Sequence, residues 1–337
     1  MKISKNQTYV IAEIGINHEG NFNLAKKSIR SAAYAGANAV KLQIFNPKTV
    51  AQRESIKTKE QKKRTPKKES LFQMLKRMTL NLNEYKKLKI YAKKMSLDFI
   101  CSVFDTESLN LSKKIGLDAY KIASSDLTDL KLINEIKKVN KPIILSTGMG
   151  SYNEIKKAIR ILKKKKIYLL HCVSLYPCPI TSVNLKRINS LTNKFNLPVG
   201  YSDHSLGVNA CFAAITMGSK VIEKHFTLNK KWKGADHELS ADQKDMNMIC
   251  NFAKNFKKLS GNGLIEPSNK EKKMRKFFRK SLFAKKNMKV GEKISLDKIE
   301  ARRPAFYIKS ENISKIIGKR IKNNILKDDP IKKSNIK

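Results

Sequence analysis

Acidic residues are scarce in this chain, and no cysteine pattern is present that would staple a fold or hold a metal. The five cysteines (Cys101, Cys172, Cys178, Cys211 and Cys250) form no CxxC pair and no Cys/His ligand spacing, which argues against a zinc knuckle and a disulfide framework. Scattered singly in apolar runs, they are expected to be small core residues in a reducing compartment. No apolar run reaches about 18 residues, so no membrane partner is expected. The N-terminal MKISKNQTYVIAEIGINHEG has an apolar stretch that is short and broken by Glu13, unlike a secretory leader. A soluble, cytoplasmic protein is the expectation.

The charge balance is lopsided: 71 Lys and Arg face 28 Asp and Glu, a formal net charge of +43. Sixty of those cations are Lys and only 11 are Arg. Nucleic-acid readers favour the bidentate Arg fork and a clustered basic face, whereas these lysines are dispersed through nearly every segment. The excess therefore reads as a compositional bias, with no nucleic-acid partner. What remains is a mild, salt-screened attraction for anionic substrates. At 41% hydrophobic the chain can bury a core, and 337 residues suggest two domains.

Short β-branched runs alternate with helical periodicity. The strand candidates are 9–14, 39–44, 98–103, 119–124, 142–147, 167–173, 198–203 and 220–226, with helices expected at 23–37, 81–95 and 151–165 among others. Eight strand–helix units over about 255 residues have the cadence of an α/β (β/α)8 barrel, the TIM barrel, over residues 1–260. A doubly wound open sheet competes, but it would need a GxGxxG after a strand, and none is present. Residues 261–279, polar and Gly/Pro-punctuated, read as a linker, and 280–337 as a small, mostly β or irregular domain. The long connection 46–70 suggests a functional loop or cover.

Barrel chemistry sits at the C-terminal ends of the strands. All five histidines (18, 171, 204, 225 and 237) fall at or just beyond such ends. Glu13 interrupts an otherwise apolar strand, Lys41 and Gln43 share a face, and Glu223 shares one with His225. Ser102, Lys121, Ser124, Ser146 and Ser202 close other strands. Lysines with hydroxyl donors suit a phosphate and a carboxylate. His204 and His225, with Asp203 and Glu223 nearby, make a reasonable shell for Mn2+, Zn2+ or Co2+. Glu13 is placed to act as a base or to orient a water. Together these groups suggest a phosphorylated carboxylic acid reacting with a carbonyl.

The motifs EIGINHEG (13–20), VKLQIF (40–45), FICSVFD (99–105), YKIASSD (120–126), STGMG (146–150), LLHCVSLYPCP (169–179), GYSDHSLG (200–207) and EKHFTLNKKWKGADHELS (223–240) resemble those of the sialic acid synthase family. The tail from about 280 resembles that family's antifreeze-like (SAF) domain. The resemblance implies condensation of phosphoenolpyruvate with an N-acyl hexosamine, either N-acetylmannosamine or a diacetamido-trideoxyhexose, to give a nonulosonic acid and phosphate. It implies Glu13, His204 and His225 as catalytic residues, with the two histidines holding a divalent metal, Mn2+ first and Mg2+ or Co2+ as alternatives. Lys41, Ser102, Lys121, Ser124, Ser146, Ser174 and Ser202 would hold phosphoenolpyruvate. Gln43, Phe104, Asp126, Tyr176 and Asp236 would meet the amino sugar. It also implies a homodimer with exchanged C-terminal domains, in which Arg303 (or Arg302) and Phe277 reach the partner's site. Asp126, Ser174 and Val103 depart from the sialic-acid branch, and CVSLYPCP resembles the legionaminic relatives equally well.

Overall fold

The computed structural model describes residues 1, 3, 7–163 and 165–337. Eight parallel strands close into a barrel in chain order: β1 (Tyr9–Gly15), β2 (Ala39–Ile44), β3 (Asp98–Val103), β4 (Ala119–Ile122), β5 (Ile143–Ser146), β6 (Ile167–Cys172), β7 (Val199–Asp203) and β8 (Val221–His225). Helices α1 (Phe22–Tyr34), α2 (Pro47–Val50), α3 (Lys59–Arg64), α4 (Leu71–Arg77), α5 (Leu82–Lys94) and α6 (Thr106–Ile115) follow the first three strands. Helices α7 (Leu130–Ile136), α8 (Tyr152–Ile161), α9 (Lys186–Phe195), α10 (Asn209–Thr216) and α11 (Gln243–Ser260) follow the remaining five. Each predicted strand and each named helix is present, with no end shifted by more than four residues. Caps set several starts, as where Asn81 and Glu84, or Ser151 and Glu154, exchange reciprocal hydrogen bonds.

Strand pleating sorts the residues into two faces. Val10, Ala12, Val40, Leu42, Phe99, Cys101, Ile143, Leu145 and Ile222 pack outward against the helices in the main core. The alternate positions Tyr9, Ile11, Ala39, Ile100, Ala119, Ile144, Tyr168, Leu170 and Val221 fill the lower interior as a dry plug. Complete burial of each larger side chain contributes about 1.5–3 kcal/mol. Two residues further along the same inward face, the plug gives way to Glu13, Lys41, Ser102, Lys121, Ser146, Cys172 and Glu223.

Contacts divide the chain into two units, Met1–Gly261 and Asn262–Lys337. The second contains α12 (Asn269–Phe278) and a two-stranded antiparallel sheet, β9 (Ser281–Ala284) with β10 (Ile299–Arg302). Leu282, Met288, Ile294, Ile316, Ile321, Ile325 and Ile331 form its core. Helix α12 falls within the 261–279 stretch that the sequence reads as a linker. A Ser268–Glu271 capping box starts it, and it buries no residue although Met274, Phe277 and Phe278 share one face.

Gly200 faces the plug, where a Cβ would lie 2.3 Å from the Val221 carbonyl oxygen and 2.8 Å from Leu170 Cδ2. Gly200→Ala is expected to cost about 1–3 kcal/mol in urea unfolding through overpacking; an unchanged midpoint would show that the strands can part there.

Candidate active site at the C-terminal end of the barrel

The inward polar layer opens into a cavity of about 400 Å3. On its floor, β1 and β2 run in register so that Glu13 pairs with Lys41, while Glu13 also pairs with His225 of β8. Lys41 Nζ lies 2.8 Å from Glu13 Oε2, donates to Ser102 Oγ at 2.8 Å, and stands 3.8 Å from Glu223 Oε1. Gln43 Nε2 donates to Glu13 Oε1 at 3.1 Å, and Ser202 Oγ to Glu223 Oε1 at 3.0 Å. Lys121 is different. It is 3% exposed, its nearest carboxylate oxygen among the described residues is Glu223 Oε1 at 3.8 Å, and its one hydrogen bond is a long one of 3.4 Å to the Ile122 carbonyl.

Burial pushes the Glu13 carboxyl above the usual range, even against Lys41, and the charge on Glu223 adds to the rise. Burial acts on Glu223 as well, but Lys121, Lys41 and the Ser202 hydroxyl outweigh it and hold that carboxyl below its ordinary value. Burial lowers the Lys121 ammonium, while Glu13 and Glu223 overcome the same effect on Lys41 and raise it. Two neighbouring carboxyls are thus driven apart, one toward holding a proton and one toward ionisation.

His204 and His225 meet above this floor, with ring centroids 5.5 Å apart. The Val173 carbonyl oxygen lies 2.8 Å from His204 Nδ1, which assigns the proton there and leaves the Nε2 lone pair available. Buried His225 Nδ1 has no hydrogen-bond partner and lies 3.7 Å from Asp236 Oδ2. Burial lowers both imidazoles, His204 to about 4, so both are neutral at pH 7. Burial with the nearby Glu13 charge raises Asp236 to about 7. Tyr176 packs against His204 with centroids 4.2 Å apart and the rings tilted by 34°. Among the described residues no group of three or more His, Cys, Asp or Glu is arranged around one point. Two neutral imidazoles with an orphaned nitrogen fit a divalent ion whose other positions fall to substrate or water, as a catalytic site requires.

The turn after β5 completes the floor. A Cβ on Gly148 would meet Ser174 Oγ at 2.6 Å, Ser124 Oγ at 2.7 Å and Cys172 Sγ at 2.8 Å. Only glycine lets these groups converge. The Gly148 amide donates to Ser124 Oγ at 3.0 Å, while Ser146 Oγ and Ser174 Oγ are buried without partners. Unmet hydroxyls beside an underpaired ammonium form a cradle for an anion.

The NeuB family model matches residues 28–264, and the SAF domain model matches residues 279–337. The chain belongs to the NeuB family. It is 40% identical to the N,N'-diacetyllegionaminic acid synthase of Campylobacter jejuni, over 97% of this chain and 99% of the relative. It is 32% identical to a pseudaminic acid synthase of the same species, over 98% and 97%. The solved N-acetylneuraminic acid synthetase of Leptospira borgpetersenii, in complex with citrate, superposes with a TM-score of 0.71 at 34% identity, covering 81% of this chain and 92% of that one.

In this NeuB-family barrel, Glu13, Lys41, Gln43, Ser102, Phe104, Lys121, Ser124, Ser146, Ser174, Tyr176, Ser202, His204, His225 and Asp236 all line the one cavity. Asp126 is not among the residues that line it. It ends the Ser124–Asp126 turn that carries Ser124 and Ser125 to the cavity wall, and accepts from the Ser125 hydroxyl at 3.0 Å. Phe277 and Arg303 belong to the second unit, where both are exposed. His171 faces outward because its parity is opposite to that of Leu170 and Cys172, and its Nε2 lies 2.8 Å from the Val183 carbonyl. His18 and His237 are buried outside the cavity lining. Sequence reading set Glu223 beside the two histidines; the structure places its Oε1 3.8 Å from both Lys41 Nζ and Lys121 Nζ. Sequence reading missed Ile16, Arg64, Leu71, Met74, Leu75 and Ala235, which form the outer wall.

Both cavity histidines follow a charged residue that turns the other way. Asp203 and Lys224 form a buried pair 2.8 Å apart between β7 and β8. Tyr201, Ser205 and Cys211 complete the bonds to Asp203, and Lys224 also donates to the Ser205 carbonyl. Lys224→Met strands a buried carboxylate and is expected to cost about 3–5 kcal/mol in urea unfolding. The double variant Asp203→Leu/Lys224→Met should recover most of that loss; no recovery would show that packing rather than charge is at stake.

Proposed function

We propose that this protein is a nonulosonic acid synthase of the legionaminic or pseudaminic type, condensing phosphoenolpyruvate with a diacetamido-trideoxyhexose and water to release phosphate. Of the two sugars suggested by the sequence, the names of the relatives favour this one over N-acetylmannosamine. The carrying observation is the underpaired Lys121 ammonium beside unmet serine hydroxyls, facing two neutral imidazoles across one cavity.

In this reading Lys41, Lys121, Ser102, Ser124, Ser146, Ser174 and Ser202 hold the phosphate and carboxylate, fixing the enol carbon toward the sugar. Gln43, Phe104, Tyr176 and Asp236 flank the sugar. His204 and His225 hold a divalent ion, Mn2+ by preference, which when bound supplies Lewis-acid polarisation of the aldehyde. The enol π electrons form the new C–C bond, and the aldehyde oxygen takes the proton that Glu13 holds. Positive charge develops at the phosphate-bearing carbon, where Glu223 and the now ionised Glu13 stabilise it. Water adds to that carbon and returns a proton to Glu13. The C–O bond to phosphate then breaks, the proton of the new hydroxyl leaving with the phosphate, to give the keto acid. A homodimer belongs to the same proposal, with Arg303 and Phe277 supplied by the partner protomer. Arg302 is tied to Asp328 at 2.7 Å, whereas Arg303 has no ion pair among the described residues and lies over the Phe278 ring.

Incubated with Mn2+, phosphoenolpyruvate and a panel of amino sugars, the protein should release phosphate only when both sugar and metal are present. Release without sugar would overturn the proposal. Glu13→Gln should lower kcat at least ~10^3-fold while phosphoenolpyruvate affinity by calorimetry stays within about threefold; equal loss of both would make Glu13 structural.

A further inference from the structure

We infer that the outer wall of the cavity is a specificity surface for a hexose bearing a C6 methyl and a second N-acyl group at C4, with Arg64 reading that acyl carbonyl. The inference rests on the synthase reading above. In that reaction the aldehyde carbon must reach phosphoenolpyruvate on the floor, which is built by strand residues. The far end of the sugar, C4 to C6, then projects toward the loops beyond the strand ends.

The character of that wall differs from the floor. Leu71, Met74 and Leu75 on α4 join Ile16, Phe104 and Ala235 in one apolar cluster, and all six also line the cavity. Met74 is almost wholly buried. A hydroxyl or phosphate pressed against this surface loses water without gaining a partner, whereas a methyl gains apolar burial.

Arg64, the last residue of α3, is the cation of the same wall. Its side chain is 14% exposed, with Nη2 2.7 Å from Glu238 Oε2 and Nη1 donating to the Ala235 carbonyl at 3.4 Å. Those contacts leave guanidinium N–H donors for a ligand. Glu238 balances the charge of Arg64, and Glu60 also lines the cavity, so the wall offers no surplus positive charge for a phosphorylated sugar. A neutral acyl oxygen is the acceptor that suits it. The apolar α4 surface and the α3 arginine are therefore set for one methyl and one amide.

The test is steady-state kcat/KM for three sugars: 2,4-diacetamido-2,4,6-trideoxymannose, N-acetylmannosamine and N-acetylmannosamine 6-phosphate. The wild type should prefer the first by ~10^2-fold or more and ignore the third. Arg64→Met should lower kcat/KM for the diacetamido sugar ~10- to 100-fold through the sugar KM, leaving N-acetylmannosamine and the phosphoenolpyruvate KM within about twofold. Leu71→Gln, at a half-buried site that tolerates polarity, should narrow the preference without touching phosphoenolpyruvate. Equal losses on both sugars, or losses in the phosphoenolpyruvate KM, would overturn the assignment while leaving the synthase reading intact. A wild-type preference for N-acetylmannosamine, or no turnover of any sugar, the altrose isomer of the first included, would sink the proposed diacetamido-sugar synthase and this inference with it.

Discussion

Lys41 and Lys121 carry their charges inside a closed barrel, directly above a plug of Ile, Ala, Tyr, Leu and Val side chains. Taking an ammonium out of water costs several kcal/mol unless a partner offsets it. For Lys41 the partners are built in: Glu13 and Ser102 both stand at 2.8 Å. For Lys121 they are not, since among the described residues its nearest carboxylate is a shared oxygen of Glu223 at 3.8 Å. The folded state therefore carries a local electrostatic deficit that an anionic ligand removes. The unmet hydroxyls of Ser146 and Ser174 point to the same need.

The layer also separates the duties of its acids. Glu223, hydrogen-bonded by Ser202 and flanked by two lysines, is suited to remain an anion. Glu13, fully buried and facing the charge of Glu223, is pushed toward protonation. Asp236, held at about 7, lies on the other side of His225. Burial keeps the imidazoles neutral and so keeps their lone pairs available. The Asp203–Lys224 pair, on the opposite face of the same two strands, pins the backbone from which both rings project.

Much of this was legible because a barrel strand has a period of two. Apolar residues followed two places later by Glu13, Lys41, Ser102, Lys121 and Ser146 on the inward face announce a plug beneath a polar floor. Single positions were less legible. His171 sits at a strand end like His204 and His225, but its parity turns it to the helices. Asp126 lies in a motif beside Ser124, yet a one-turn 3-10 segment sends only Ser124 and Ser125 to the cavity. The outer wall was hidden for a different reason. Helices α2, α3 and α4 span four to seven residues, too short to show a sustained period, so only the length of the 46–70 connection hinted that it mattered.

Calorimetric titration of phosphoenolpyruvate into the wild type and Lys121→Met, each first checked for folding by circular dichroism, addresses the central claim most directly. An anion cradle organised around the underpaired ammonium predicts one site per chain and affinity at least ~10-fold weaker in the variant, since a charge-assisted contact contributes roughly 1.5–3 kcal/mol. Equal affinity in the two proteins would contradict it, because the buried charge would then have some purpose other than holding the ligand.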